Sequence, residues 1–105
     1  MKIDVMTTDD IRSVIPLYVN YYNKHEGGCW TEETAQRRIS QVITISGSYS
    51  LIMHDDENNA IGFVMGYFKQ YDDTIGYTLE EIIIAYEHQH KGLGTFLLKE
   101  LENRV

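Results

Sequence analysis

Polar and apolar residues alternate from Lys2 to Met6, the period of a short half-buried strand. Thr7, Thr8, Asp9 and Asp10 then offer an N-cap and an acidic first turn. Ile11, Val14, Ile15, Tyr18, Tyr21 and Tyr22 follow at helical spacing, which predicts a helix to about residue 24. Pro16 falls inside that pattern and predicts a kink, or an end to the first segment. Gly27-Gly28 breaks the chain. Thr31 then caps a second helix that carries Glu32 and Glu33 in its first turn and Ala35, Ile39, Val42 and Ile43 as its buried stripe.

Beyond residue 47 the period changes to that of strands. Ser48 to Met53 is one, His54 to Asn59 a polar turn, and Ala60 to Phe68 its antiparallel partner. Gln70 to Thr74 is a second polar turn, and Ile75 to Ala85 a third strand. After Tyr86 to Lys91 comes a last helix with Leu93, Phe96, Leu97, Leu101 and Val105 on one side. The order β-α-α-β-β-β-α predicts one mixed α/β (α+β) domain over residues 1–105, with a largely antiparallel sheet and helices on its faces. The last apolar stripe is still running at Val105, without a glycine, proline or polar cluster to stop it. That predicts an incomplete domain, cut after this helix.

Composition narrows the class. Hydrophobic residues make up 43% of the 105, enough for a core, and the net charge is −7 with no basic run. Such a surface does not suit phosphate backbones, so nucleic-acid binding is disfavoured. One cysteine, Cys29, rules out an intrachain disulfide, and its neighbours form no nucleophile motif. The N-terminus does not open like a signal peptide, and no apolar run approaches the roughly 20 residues that cross a bilayer. These features predict a soluble, cytoplasmic protein without a membrane partner.

The chemistry concentrates in residues 79–95. An apolar strand runs into a short polar loop, and Gly92 and Gly94 open a helix whose first N–H groups have no partner. The helix dipole favours an anion there, and Lys91 adds charge, so the turn suits phosphate or pyrophosphate. The Walker spacing is absent, and a dinucleotide fingerprint would need glycine or alanine where Leu97 stands. What remains is Gln89-x-x-Gly92-x-Gly94. This resembles the Gln/Arg-x-x-Gly-x-Gly/Ala signature of the GNAT superfamily of N-acetyltransferases, and the upstream order of elements is similar to that family's as well.

The resemblance implies an acetyl-coenzyme A-dependent transferase acting on a primary amine of a small molecule or protein. Main-chain groups of Ile82 and Ile84 would hold the pantetheine arm and acetyl carbonyl. Those of Gln89, His90, Lys91, Gly92, Leu93, Gly94 and Thr95 would cradle the pyrophosphate. Tyr77 to Ile82 looks like the strand of polyamine and related small-amine acetyltransferases, whose acids meet the acceptor. An alkylamine is mostly protonated at neutral pH, so a carboxylate must take a proton before attack. Neighbouring strand residues face opposite ways. Glu80, sharing its face with Ile82 and Ile84, is the expected base, with Glu81 second. Tyr22, His25, Glu26 and Trp30 surround the interhelical loop that lines the acceptor pocket in this family. His88 and His90 lack a third ligand, so no metal is expected. The family's remaining strands, and the tyrosine that often protonates its thiolate, would lie beyond Val105. The exposed strand edge that results predicts a homodimer. A coenzyme A-binding module without turnover is the alternative reading.

Overall fold

The computed structural model describes all residues, Met1–Val105. Strands β1 (Lys2–Val5), β2 (Leu51–His54), β3 (Ala60–Tyr71) and β4 (Thr74–Ile84) form one antiparallel sheet in that order. Helices α1 (Ile11–His25) and α2 (Glu32–Ile43) connect β1 to β2, and α3 (Leu93–Arg104) follows β4. The α+β order expected from the period is present, with β4 at the edge of the sheet.

Local chemistry accounts for most boundaries. The Asp10 carboxylate accepts from the Thr7 amide at 2.9 Å while the Thr7 hydroxyl accepts from the Asp9 amide, so the acidic run closes a 3₁₀ turn before α1. Thr31 and Thr34 cap α2 in the same reciprocal way. Pro16 does not end α1, which continues to His25. Pro16 and Arg12 are both exposed, so the carbonyl that loses its donor faces solvent rather than the core. The strand expected from Ser48 begins at Leu51, because the Ser48 N–H turns back to the Ile45 carbonyl at 3.0 Å. Ser48 keeps a single bridge to Tyr67. β3 runs past the expected Phe68 to Tyr71, β4 begins one residue early at Thr74 and ends at Ile84 rather than Ala85, and the two meet at the two-residue turn Asp72-Asp73, where Asp72 takes φ 53°. Asp tolerates that left-handed region better than most residues do.

Both sheet faces are covered, so β2 buries Leu51, Ile52 and Met53 in succession. On one face Ile52, Phe63, Met65 and Ile83 pack against Val14, Tyr18, Ala35 and Ile39 of α1 and α2. On the other, Leu51, Met53, Ile61 and Val64 pack against Leu97 and Leu101 of α3.

One irregularity in β4 matters for function. Met65 pairs with Glu81 but Gly66 pairs with Leu79, which leaves Glu80 as the extra residue of a β-bulge. Gly66 makes room for it: a Cβ there would collide with the Thr78 carbonyl and lie 2.6 Å from the Tyr77 hydroxyl. That hydroxyl crosses the glycine to donate to the Tyr49 carbonyl at 2.6 Å.

Candidate functional site

The C-terminal half of β4 offers main chain. Ala85 N–H donates to the Ile61 carbonyl at 2.8 Å, and the same register pairs Ile83 with Phe63 and Glu81 with Met65. By the alternation of an antiparallel ladder, the polar groups of Ile82 and Ile84 turn away from β3, toward the open edge. The Gln89 side-chain amide donates to the Ile84 carbonyl at 3.0 Å, closing the last acceptor on that edge.

The chain then makes a 3₁₀ turn over Tyr86–His88 and two left-handed residues, His90 at φ 63° and Gly92 at φ 77°. Gly92 is the N-cap of α3 and supplies no side-chain cap. The N–H groups of Leu93, Gly94 and Thr95 therefore begin the helix without intrahelical acceptors. A cleft of about 340 Å³ opens here, lined by Ile84, His88, Gln89, His90 and residues 92–95. A Cβ on Gly92 would meet nothing within 4 Å, and one on Gly94 only Ile84 Cγ1 at 3.8 Å. The space above both is open. Lys91 stands exposed at the turn, outside the lining.

The bulged half of β4 offers side chains. The expectation that Glu80 shares a face with Ile82 and Ile84 fails, because the bulge interrupts the alternation. Ile82 and Ile84 pack toward α3, whereas Glu80 and Glu81 both reach Arg38 of α2. Arg38 Nη2 lies 3.3 Å from Glu80 Oε2 and 3.8 Å from Glu81 Oε1. The Tyr22 hydroxyl of α1 donates to Glu81 Oε2. The Glu80 and Glu81 side chains are 29% and 12% exposed, so Glu80 is the more accessible of the two.

Electrostatics follow from this knot. Burial opposes the charge of Arg38, but the Glu80 carboxylate and hydrogen bonds to Tyr18 and Glu80 outweigh it and push the guanidinium pKa up. Burial, then the hydrogen bond to Glu81 and its charge, push the Tyr22 phenol up. Tyr18 is raised by burial and by Glu81. Arg38 and Tyr18 are the members that sequence reasoning missed. The available signal was position: Arg38 follows Ala35 by three and precedes Ile39, at the margin of the buried stripe of α2.

The four residues expected around the acceptor divide. Tyr22 belongs to the acid knot, and Trp30 packs edge-on against Tyr18 with centroids 4.8 Å apart. The Asn23 side chain fixes the Trp30 backbone, accepting from its N–H at 2.8 Å and donating to its carbonyl at 2.9 Å. His25 instead stacks on Tyr86 at 5.8 Å and lines a second cleft of about 310 Å³ between α1 and the end of β4. Glu26 is exposed, caps α1 and joins neither group. Ile84 and Gln89 line both clefts, and neither is lined by Glu80 or Glu81. No three acidic, His or Cys side chains converge as metal ligands, and no helix is long and apolar enough to cross a membrane.

Residues 12–105 match the model of the acetyltransferase (GNAT) family. No curated protein matches the chain in sequence. Solved structures share its fold. A possible acetyltransferase from Clostridium difficile 630 superposes with a TM-score of 0.81 at 12% identity, covering 97% of this chain and 68% of the other. The ribosomal-protein-alanine N-acetyltransferase from Brucella melitensis biovar Abortus 2308 gives 0.76 at 18% identity, covering 99% and 71%. An aminoglycoside 6'-N-acetyltransferase from Acinetobacter baumannii gives 0.71 at 18% identity, covering 99% and 70%.

Proposed function

Because the chain belongs to the acetyltransferase (GNAT) family, we propose that it moves acetyl from acetyl-coenzyme A to a primary amine by direct attack. The observation that carries this reading is the sequence of groups along β4: outward main chain at Ile82 and Ile84, acids just before it, and an anion-suited helix start just after. Pantetheine pairs with the edge groups left free, those of Ile82 and the N–H of Ile84, as an added strand would. The pyrophosphate sits against the N–H groups of Leu93, Gly94 and Thr95, within the turn that begins at Gln89. Tyr22 and Trp30 wall the acceptor, and His25 stands at its outer approach.

Glu80 is the base, and Glu81 the second candidate. An arriving alkylammonium gives one proton to Glu80. The neutral nitrogen attacks the thioester carbonyl, the C–S bond breaks, and the nitrogen's remaining excess proton leaves as the thiolate is protonated. The products are an amide and coenzyme A. Mass spectrometry of the wild type with acetyl-coenzyme A and a panel of primary amines tests the reading. An N-acetyl product is expected, and Glu80→Gln should lower its rate by roughly 100-fold or more. Absence of product with every amine overturns it.

A coenzyme A-binding module without turnover is the second reading, favoured by one observation: both acids already hold Arg38 or Tyr22. Binding of acetyl-coenzyme A without product would select it. We also propose a homodimer through the β4 edge, where Ile75 is 68% and Leu79 41% exposed. Sedimentation should give twice the chain mass at micromolar concentration; a monomer throughout would refute it.

A further inference from the structure

We infer that Arg38 is a positioning and specificity residue that fits the acid site to an acceptor with a single positive charge. The inference rests on the proposed amine acceptor and deepens it.

The β-bulge sends two consecutive carboxylates to one side of the sheet, where an ordinary strand would separate them. Two acids so placed repel each other and invite two cations. Arg38 supplies one of the two. Its Nη2 bridges Glu80 Oε2 and Glu81 Oε1 at 3.3 and 3.8 Å, and a guanidinium stays charged at any working pH. The remaining charge is −1, which one ammonium satisfies. The Tyr22 hydroxyl ties down the far oxygen of Glu81, so Glu80 is left as the freer acid. The half-buried rings of Tyr22 and Trp30, with centroids 6.2 Å apart and packed on the buried Tyr18, add an apolar surface that suits the carbon body of an amine.

Hexylamine and 1,6-diaminohexane differ only in the second charge and are the probes. Their binding is followed by NMR through the Trp30 indole signal, and their acetylation by product formation. The wild type should bind hexylamine the more tightly. Arg38→Met should reverse the order, changing the ratio of the two affinities by about tenfold or more, and Arg38→Lys should restore it. An equal effect on both amines, or no amine binding by the wild type, overturns the inference. Should Arg38→Met not fold, Glu80→Gln serves in its place: it leaves no net charge, and should reduce hexylamine binding to that of hexanol. Persistence of the amine preference in that variant also overturns the inference. These binding readouts stand apart from turnover. Product without the charge-dependent reversal sinks only the role of Arg38, whereas the reversal without product sinks only the transferase reading.

Discussion

After Ile82, β4 leads into a turn that presents main-chain groups and open space, and side chains there contribute little beyond Gln89. Before Ile82, the same strand presents side chains held by two helices that are distant in sequence: Tyr22 from α1 and Arg38 from α2. The turn can form from its own residues, since its shape lies in left-handed His90 and Gly92 and the start of α3. The acid knot exists only once the helices pack on the sheet. A ligand-binding turn can thus be built locally, while orienting charged side chains takes the whole fold.

The strongest way to break that contrast is at Gly66, under the bulge. Gly66→Ala puts a methyl group into the Thr78 carbonyl and the Tyr77 ring, and backbone cannot give way cheaply. Overpacking of this kind should cost about 3 kcal/mol in urea unfolding, and should disperse the Tyr22–Glu81 contact. Unchanged stability would mean the bulge tolerates a side chain, and the knot is less dependent on packing than argued.

A smaller effect separates the two glycines of the turn. Gly92→Ala meets no atoms but forces alanine to φ 77°, which should cost about 1 kcal/mol and weaken acetyl-coenzyme A binding in calorimetry. Gly94→Ala has ordinary contact distance to Ile84 and a helical backbone, so its folding stability should match or exceed the wild type. Equal losses in both would indicate that the space above the turn, rather than its backbone conformation, decides.

At neutral pH the last effect is nil, and it emerges only in alkali. Tyr77 is pushed up to about 12 by burial and by Tyr49, and Tyr22 is raised further by burial and Glu81. A raised phenol keeps its proton in the folded chain and loses it in the unfolded chain from about pH 10. Stability should therefore fall as pH rises through about 10, and level off only above the folded values. Phenolate absorbance that appears at pH 10 without loss of structure would show these tyrosines to be freely titrating.

Element order, the capping of α2 by Thr31 and the glycine turn were legible in the chain because each depends on neighbours a few residues away. Hydrophobic period alone assigns helix or strand, and the spacing of Gln89, Gly92 and Gly94 marks the helix start. Where Ser48 leaves the ladder and where β3 turns at Asp72 were set by hydrogen bonds that spacing does not reveal. The face of Glu80 was decided by tertiary structure. Alternation along β4 would place it with Ile82, but its partner strand carries Gly66 opposite Leu79, and the extra residue is expelled toward Arg38. Pairing register joins residues far apart in sequence, and a one-residue slip moves a side chain to the other face. The sequence by itself therefore determined the turn and the residue types available for chemistry. Only the packing of α1 and α2 on the sheet decided which of those acids stand together, and that one cation stands between them.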